Sequence, residues 1–257
     1  MSTTFFYHSQ AALNEIVEFD SSEATHISKA LRLKSGDRIE LTNGQGALFL
    51  AELAIEKHRV SARVMQDLDS HDSYIPLHLG IAPTKNADRI EWLVEKAVEL
   101  GVGEISLIQC AHSERSRNSI DRINRVAIAA LKQSQRTYLP RINEMVEFHD
   151  WLKQVNSERR FIAHCMDHLP RTLLRDSFQL QSIEGISSFG MQNSDTISSS
   201  PARSNVCIAI GPEGDFSESE VLAANNVDFL SVSLGSARLR TETAALAALH
   251  TYNLLNQ

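Results

Sequence analysis

Between positions 87 and 98, Ile90, Leu93, Val94, Ala97 and Val98 recur at helical spacing. That period places the apolar side chains on one face, and NADRIEWLVEKAVELGVG is predicted to be an amphipathic helix. Gly101 follows where a helix end favours a left-handed residue. The apolar runs on either side, PLHLGIAP and EISLIQC, are too short for helices and read as strands. The alternation continues. SIDRINRVAIAALKQSQR is predicted to be a helix, with Asp121 near its start, where a carboxylate suits the dipole. RRFIAHC (159–165), NVCIAIGPEG (205–214) and FLSVSLG (229–235) read as strands. SESEVLAANN reads as a helix opened by Ser217 and Glu220 at capping-box spacing, and Thr241 to Leu255 as the last helix. Strands separated by helices predict an α/β fold, a mostly parallel sheet covered on both faces.

The first seventy or so residues follow another pattern. DRIELTNGQGALFLAELAIEKHRVSARVMQD (37–67) holds three β-rich runs, with Asn43, Gly44 and Gly46 supplying the turn chemistry of a hairpin. Ahead of it, EATHISKALRLKSGDRIEL predicts a short helix and a Ser-Gly-Asp turn. DSHDSYIP (69–76) reads as a linker. Two domains follow: a small β-rich one over 1–72 and an α/β one over 73–257. Within the second, SIEGISSFGMQNSDTISSSPARSN (182–205) is serine-rich and poor in large apolar residues, and is predicted to be a long flexible loop.

Composition narrows the class. Of the 257 residues, 42% are hydrophobic and 22% charged, the balance of an ordinary soluble globular protein. The opening MSTTFFYHSQAALNEIVEFD lacks a basic start followed by an apolar block, and no apolar run approaches membrane-span length. Cys110, Cys165 and Cys207 are far apart and odd in number. That argues against a disulfide framework or a cysteine zinc site and suits a reducing cytoplasm. No His/Asp/Glu cluster has metal spacing. The formal charge of −7 does not advertise nucleic-acid binding. Yet Lys29, Arg32, Lys34 and Arg38 concentrate positive charge, and such a patch can bind phosphate. A solvated helix face is the commoner origin of four basic residues.

The candidate chemistry lies in two loops after C-terminal strands, IGPEGDFSESE (210–220) and LGSARLRTETA (234–244). Open α/β sheets bind ligands outside the carboxyl ends of their strands. Gly211 and Gly214 allow close approach to the backbone. Arg238, Arg240 and Glu242 stand between two buried elements, where charge is costly unless it is used or paired. An Arg240–Glu242 ion pair or a solvated loop is the plainer alternative. A P-loop is absent, and no G-x-G-x-x-G follows an early strand, so the usual nucleotide sites are excluded.

IGPEGDFSESE followed by LGSARLRTETAA closely resembles the signature of the bacterial 16S rRNA (uracil-N3)-methyltransferases, members of the SPOUT class. HISKALRLKSGDRIEL resembles the N-terminal PUA-like domain of that family. EWLVEKAVELGVGEISLIQCAHSERS and RVAIAALKQSQRTYLPRI resemble its next elements. The resemblance implies a small PUA-like β-barrel joined to a trefoil-knotted domain that binds S-adenosylmethionine in the knot. It implies methylation of uridine N3 in small-subunit rRNA by a cytoplasmic homodimer. The cofactor is then expected on Ile210, Gly211, Gly214, Leu234, Gly235, Leu239 and Thr241, held mainly by backbone groups. His164 ends a strand and either edges that site or is an ordinary partly buried histidine. Arg240 is expected to stabilise the anionic uracil, and Glu242 to accept a proton or to hold Arg240. Many members carry an arginine two residues after the second-motif glycine; here Ser236 and Ala237 follow Gly235, so the carry-over rests on Arg240 rather than Arg238. RNA contact is expected from Lys29, Arg32, Lys34 and Arg38, and secondarily from Arg115 and Arg117. A SPOUT enzyme with another RNA target and a non-catalytic RNA-binding module are the rival readings.

Overall fold

The structure is a computed structural model that describes residues 4–57, 59–70, 75–114, 119–178 and 205–256. Arg115, Arg117 and all but the last residue of 182–205 lie outside the described residues, as do 71–74 of the expected linker. The chain divides into two compact units, Met1–Tyr74 with Ala127–Leu139, and Ile75–Val126 with Pro140–Gln257.

The first unit is a five-stranded sheet around its own core. Its strands are β1 (Thr4–Tyr7), β2 (Ile16–Glu18), β3 (Arg38–Thr42), β4 (Leu48–Glu56) and β5 (Arg59–Leu68), in the order β1-β3-β4-β5-β2. The predicted hairpin is β3–β4, antiparallel, with Gly44 and Gly46 at φ of 76° and 98° between the strands. β4 alternates buried and exposed positions, so Phe49, Ala51 and Leu53 face the core with Ile39, Leu41, Ala62 and Val64. A bulge at Leu50/Ala51 interrupts the β4–β5 ladder; such irregularities increase strand twist. β1 and β2 were not foreseen: at four and three residues each is too short to show an apolar period. The predicted short helix is α1 (Ser21–Thr25), capped by Asp20, whose carboxylate accepts the N–H groups of Ser22 and Glu23. It continues into a π-helical turn, His26–Ala30.

The second unit is a seven-stranded parallel sheet in the order β10-β12-β9-β11-β6-β7-β8. These strands are β6 (Ile75–Ile81), β7 (Val102–Gln109), β8 (Arg141–Glu147), β9 (Arg159–Ala163), β10 (Thr172–Leu173), β11 (Val206–Ile210) and β12 (Phe229–Ser233). β11 lies at the centre and every one of its residues is buried, as a parallel strand covered on both faces must be. α2 (Ala87–Glu99) buries Ile90, Leu93, Val94, Ala97 and Val98, the face read from the sequence, and ends at Gly101 with φ of 83°. It packs against the last helix, α6 (Thr241–Leu255). α3 (Ile120–Ser134) follows β7. The opposite face of the sheet is covered by α4 (Phe148–Gln154) and α5 (Glu218–Asn225), around Phe148, Trp151, Cys207, Ala209, Phe216 and Val221. Gly80 of β6 is required there, because a Cβ would overlap the buried Trp151 ring. β8 and α4 were not foreseen: RINEMVE is an exposed edge strand with neither apolar alternation nor an apolar run, and α4 is only seven residues long.

Candidate active site

The capping box holds in atomic detail. The Ser217 side chain accepts the Glu220 N–H, and Glu220 Oε2 accepts the Ser217 N–H at 2.8 Å. The other carboxylate oxygen of buried Glu220 accepts the N–H of Ala111 at 2.8 Å. One side chain therefore starts α5 and fixes the loop after β7. The β11–α5 loop is thereby set, and it forms one wall of a cleft of about 470 Å³ at the carboxyl ends of β9, β11 and β12.

Ile210, Gly211, Leu234, Gly235, Leu239, Arg240 and Thr241 all line this cleft, brought together from two loops. Thr241 Oγ1 donates to the Gly211 carbonyl at 3.1 Å and ties the start of α6 to the β11 loop. Gly211 leaves little room for a side chain: a Cβ would stand 3.0 Å from the Phe216 ring and 3.2 Å from its backbone nitrogen.

Two expected residues are not in the lining. Gly214 packs against His112, whose Cβ would be 3.1 Å from a Cβ at that position. Glu242 is buried, and its Oε2 has no hydrogen-bond partner among the described residues. Among the described residues Arg240 and Glu242 form no ion pair, which corrects that alternative. Arg240 is the N-cap of α6, with extended backbone (φ −69°, ψ 154°) and an exposed side chain, whereas Glu242 is already helical and turned inward.

The cleft also gathers residues that sequence reasoning did not single out for the site. Arg89 of α2 donates to Glu213 at 2.5 Å across 124 positions. Arg171 donates to the His164 carbonyl and to Asp167, each at 2.7 Å. Asp215, with φ of 64°, accepts the N–H groups of Cys165 and Phe216, each at 2.8 Å. No local pattern announces these links, because each joins separate segments or depends on a loop's backbone angles. His164 does line the cleft, as one of its two readings allowed. It is buried, and burial holds its imidazole below the ordinary value. Its Nδ1 accepts the Met166 N–H at 3.3 Å, which leaves the proton on Nε2, buried and without a partner among the described residues. Burial and the Asp215 carboxylate push the Cys165 thiol up.

The charge balance points to an anionic ligand. Arg89 and Arg171 are committed to Glu213 and Asp167. Arg238 and Arg240 are exposed, line the cleft and have no ion pair among the described residues. Guanidiniums on a cleft wall without an ion pair among the described residues suit a ligand on which negative charge develops. In the first unit Lys29, Arg32, Lys34 and Arg38 are all exposed and free of ion pairs among the described residues.

Comparison with known proteins accords with this geometry. A family profile described as an RNA methyltransferase domain matches residues 71–253, and one described as an RNA methyltransferase PUA domain matches 19–65. A ribosomal RNA small subunit methyltransferase E from Rickettsia conorii is 30% identical, with 97% of this chain and 94% of that protein covered. Its counterpart from Bacillus subtilis is 28% identical over 88% and 85%. A probable rRNA-methyltransferase from Porphyromonas gingivalis has a TM-score of 0.78 at 33% identity, covering 98% of each chain. A ribosomal RNA small subunit methyltransferase E from Neisseria gonorrhoeae, solved with S-adenosylmethionine bound, shares the fold at 24% identity, 99% and 98% coverage and a TM-score of 0.76. Together, the profile match over most of the sequence, near-complete alignment to a relative at 30% identity and a cleft built from both signature loops show that the chain belongs to the ribosomal RNA small subunit methyltransferase E family of RNA methyltransferases.

Proposed function

We propose that the protein methylates N3 of a specific uridine in 16S rRNA, using S-adenosylmethionine. The observation that carries this is the unpaired Arg240 guanidinium on the wall of a cleft formed by both glycine-bearing loops. The cleft fits the cofactor: its volume of about 470 Å³ falls in the usual range of small-molecule sites, roughly 300–1,000 Å³. The backbone of Ile210, Gly211, Leu234, Gly235 and Leu239, with Thr241, would hold it. When bound, S-adenosylmethionine supplies an electrophilic methyl group on a sulfonium.

The chain's residues do the rest. Uracil N3 lies on the Watson–Crick edge, so the base must be met unpaired. Loss of its proton to solvent water at the open cleft spreads negative charge over O2, N3 and O4. Arg240 faces that charge as a donor whose fork can meet a ring edge with two N–H groups. Glu242, buried away from the cleft, supports the first turn of α6 in this reading rather than touching substrate.

The proposal includes a PUA-like RNA-binding domain over 1–72 and a knotted SPOUT domain over 73–257. The position of β11 between β9 and β6 supports the knot. Lys29, Arg32, Lys34 and Arg38, exposed and without an ion pair among the described residues, support phosphate contact. No described helix is long and apolar enough to cross a membrane, and we place the enzyme in the cytoplasm, where its RNA is. We further propose a homodimer through the α/β domain. Leu254 and Leu255 of α6 are exposed, as are Leu173 of β10 and Leu230 of β12, adjacent strands at one edge of the sheet.

The test is nucleoside analysis of small-subunit rRNA from cells with and without the gene. Loss of 3-methyluridine on deletion, restored by complementation, is expected; its retention overturns the substrate assignment.

A further inference from the structure

Asp215 stands where three loops meet. Its φ of 64° is a left-handed conformation that a glycine would adopt without strain. An aspartate at such a position has a use for its carboxylate, and here both oxygens are engaged. Oδ2 accepts the Cys165 N–H from the loop after β9, and Oδ1 accepts the N–H of Phe216, each at 2.8 Å. The backbone is engaged as well: the Asp215 N–H donates to Pro212 at 3.0 Å, and its carbonyl lies 3.1 Å from Nδ1 of His112, in the loop after β7. The Cys165 contact spans 50 positions of sequence and crosses between two walls of the cleft, which His164, Cys165, Gly211, Glu213 and Asp215 all line. Hydrogen bonds to an ionised acceptor are the stronger kind, so this link is suited to hold two loops at a fixed separation.

We infer that Asp215 is a positioning residue of the cofactor cleft: its carboxylate pins the His164–Cys165 segment to the β11 loop and so sets the width of the cleft for S-adenosylmethionine. This rests on the reading that the cleft holds that cofactor. Asp215 itself performs no chemistry. Its effect belongs to cofactor binding and not to the transfer step.

The test uses the full chain with Asp215→Gly, which keeps the backbone conformation and removes the carboxylate. Calorimetric titration with S-adenosylmethionine and steady-state methylation of small-subunit rRNA are measured together. The Kd and KM for S-adenosylmethionine are expected to rise about tenfold, the scale of one lost hydrogen bond to a charged group. The kcat is expected to stay within about twofold, the pattern of lost ground-state binding. Asp215→Asn, which tolerates the backbone and keeps one acceptor, should fall between. Iodoacetamide gives a second readout, because Cys165 is exposed while Cys110 and Cys207 are buried. Loss of the carboxylate charge by itself lowers the Cys165 thiol and speeds its alkylation, so the asparagine variant, which lacks the same charge, is the reference. Alkylation of Cys165 alone that is faster in the glycine than in the asparagine variant, and slowed by S-adenosylmethionine, reports a loosened loop in a folded protein. Unchanged KM, a fall in kcat at constant KM, or labelling of all three cysteines would each overturn the inference. Failure of the unaltered chain to bind S-adenosylmethionine overturns the parent reading, and this one with it.

Discussion

Arg240 and Glu242 show how two neighbouring charges take different fates. The backbone turns from extended to helical between them, so one side chain is left in solvent at the cleft and the other is carried inward. An exposed, unpaired arginine contributes little to stability, and its removal should be silent in a melt. Arg240→Ala is therefore expected to keep its melting temperature and its affinity for S-adenosylmethionine. Turnover should fall about a hundred- to a thousand-fold, or about 2.7–4 kcal/mol of barrier, the loss usual for one preorganised donor. Arg240→Lys should recover only part, since an ammonium cannot present two parallel N–H groups. Near-normal turnover in the alanine variant would leave Arg240 as a solvated loop residue.

At the scale of elements, the α5 N-terminus shows a local signal acquiring a tertiary role. Ser217 and Glu220 were legible as a capping box; that Glu220 also accepts the Ala111 N–H was not, because Ala111 is 109 positions away. Glu220→Ala strips acceptors from two backbone N–H groups, at about 1–3 kcal/mol for each left unsatisfied. A clear fall in the urea midpoint is expected, and an unchanged midpoint would show that water replaces the carboxylate.

The sheet makes a second such link. His78 of β6 bonds Ser106 of β7 at 2.7 Å, and Asn143 of β8 donates to Ser106 and to Glu104. Burial beside Trp151 holds the His78 imidazole below the ordinary 6.5, outweighing the opposing pull of Glu104, while Arg141 adds to the lowering. His164 is lowered as well. With folded values depressed, the unfolded chain binds more protons just below pH 6.5. Stability is therefore full above that pH and lost as pH falls toward the folded values. Melting temperatures should be nearly level above neutrality and decline from pH 6.5 downward, less steeply in His78→Asn. Equal slopes in the two proteins would assign the decline to other groups.

For the whole molecule, the last helix carries the argument about assembly. α6 buries Ala245, Ala248, Leu249 and Tyr252 against its own chain, yet leaves Leu254 59% exposed. A helix apolar over so much of its circumference suits more than one neighbour. Light scattering at micromolar concentration is expected to give twice the 28.6 kDa chain mass; the mass of a single chain would count against a dimer.

The sequence by itself determined what periodicity and local chemistry encode. The buried face of α2, its glycine stop, the β3–β4 hairpin, the capping box and the two signature loops are all short-range, fixed by side-chain spacing and backbone preference within a few residues. The signature loops also carried the family. The edge strand β8 escaped, because a strand exposed on its flank needs no apolar alternation. The tertiary structure alone decided which of the candidate residues share a cleft. It turned Glu242 inward, set Gly214 against His112, joined Arg89 to Glu213 and pinned Cys165 to Asp215. Those links depend on which strands lie adjacent and on how each loop turns at its end, and neither is written in the spacing of residues that only folding brings into contact.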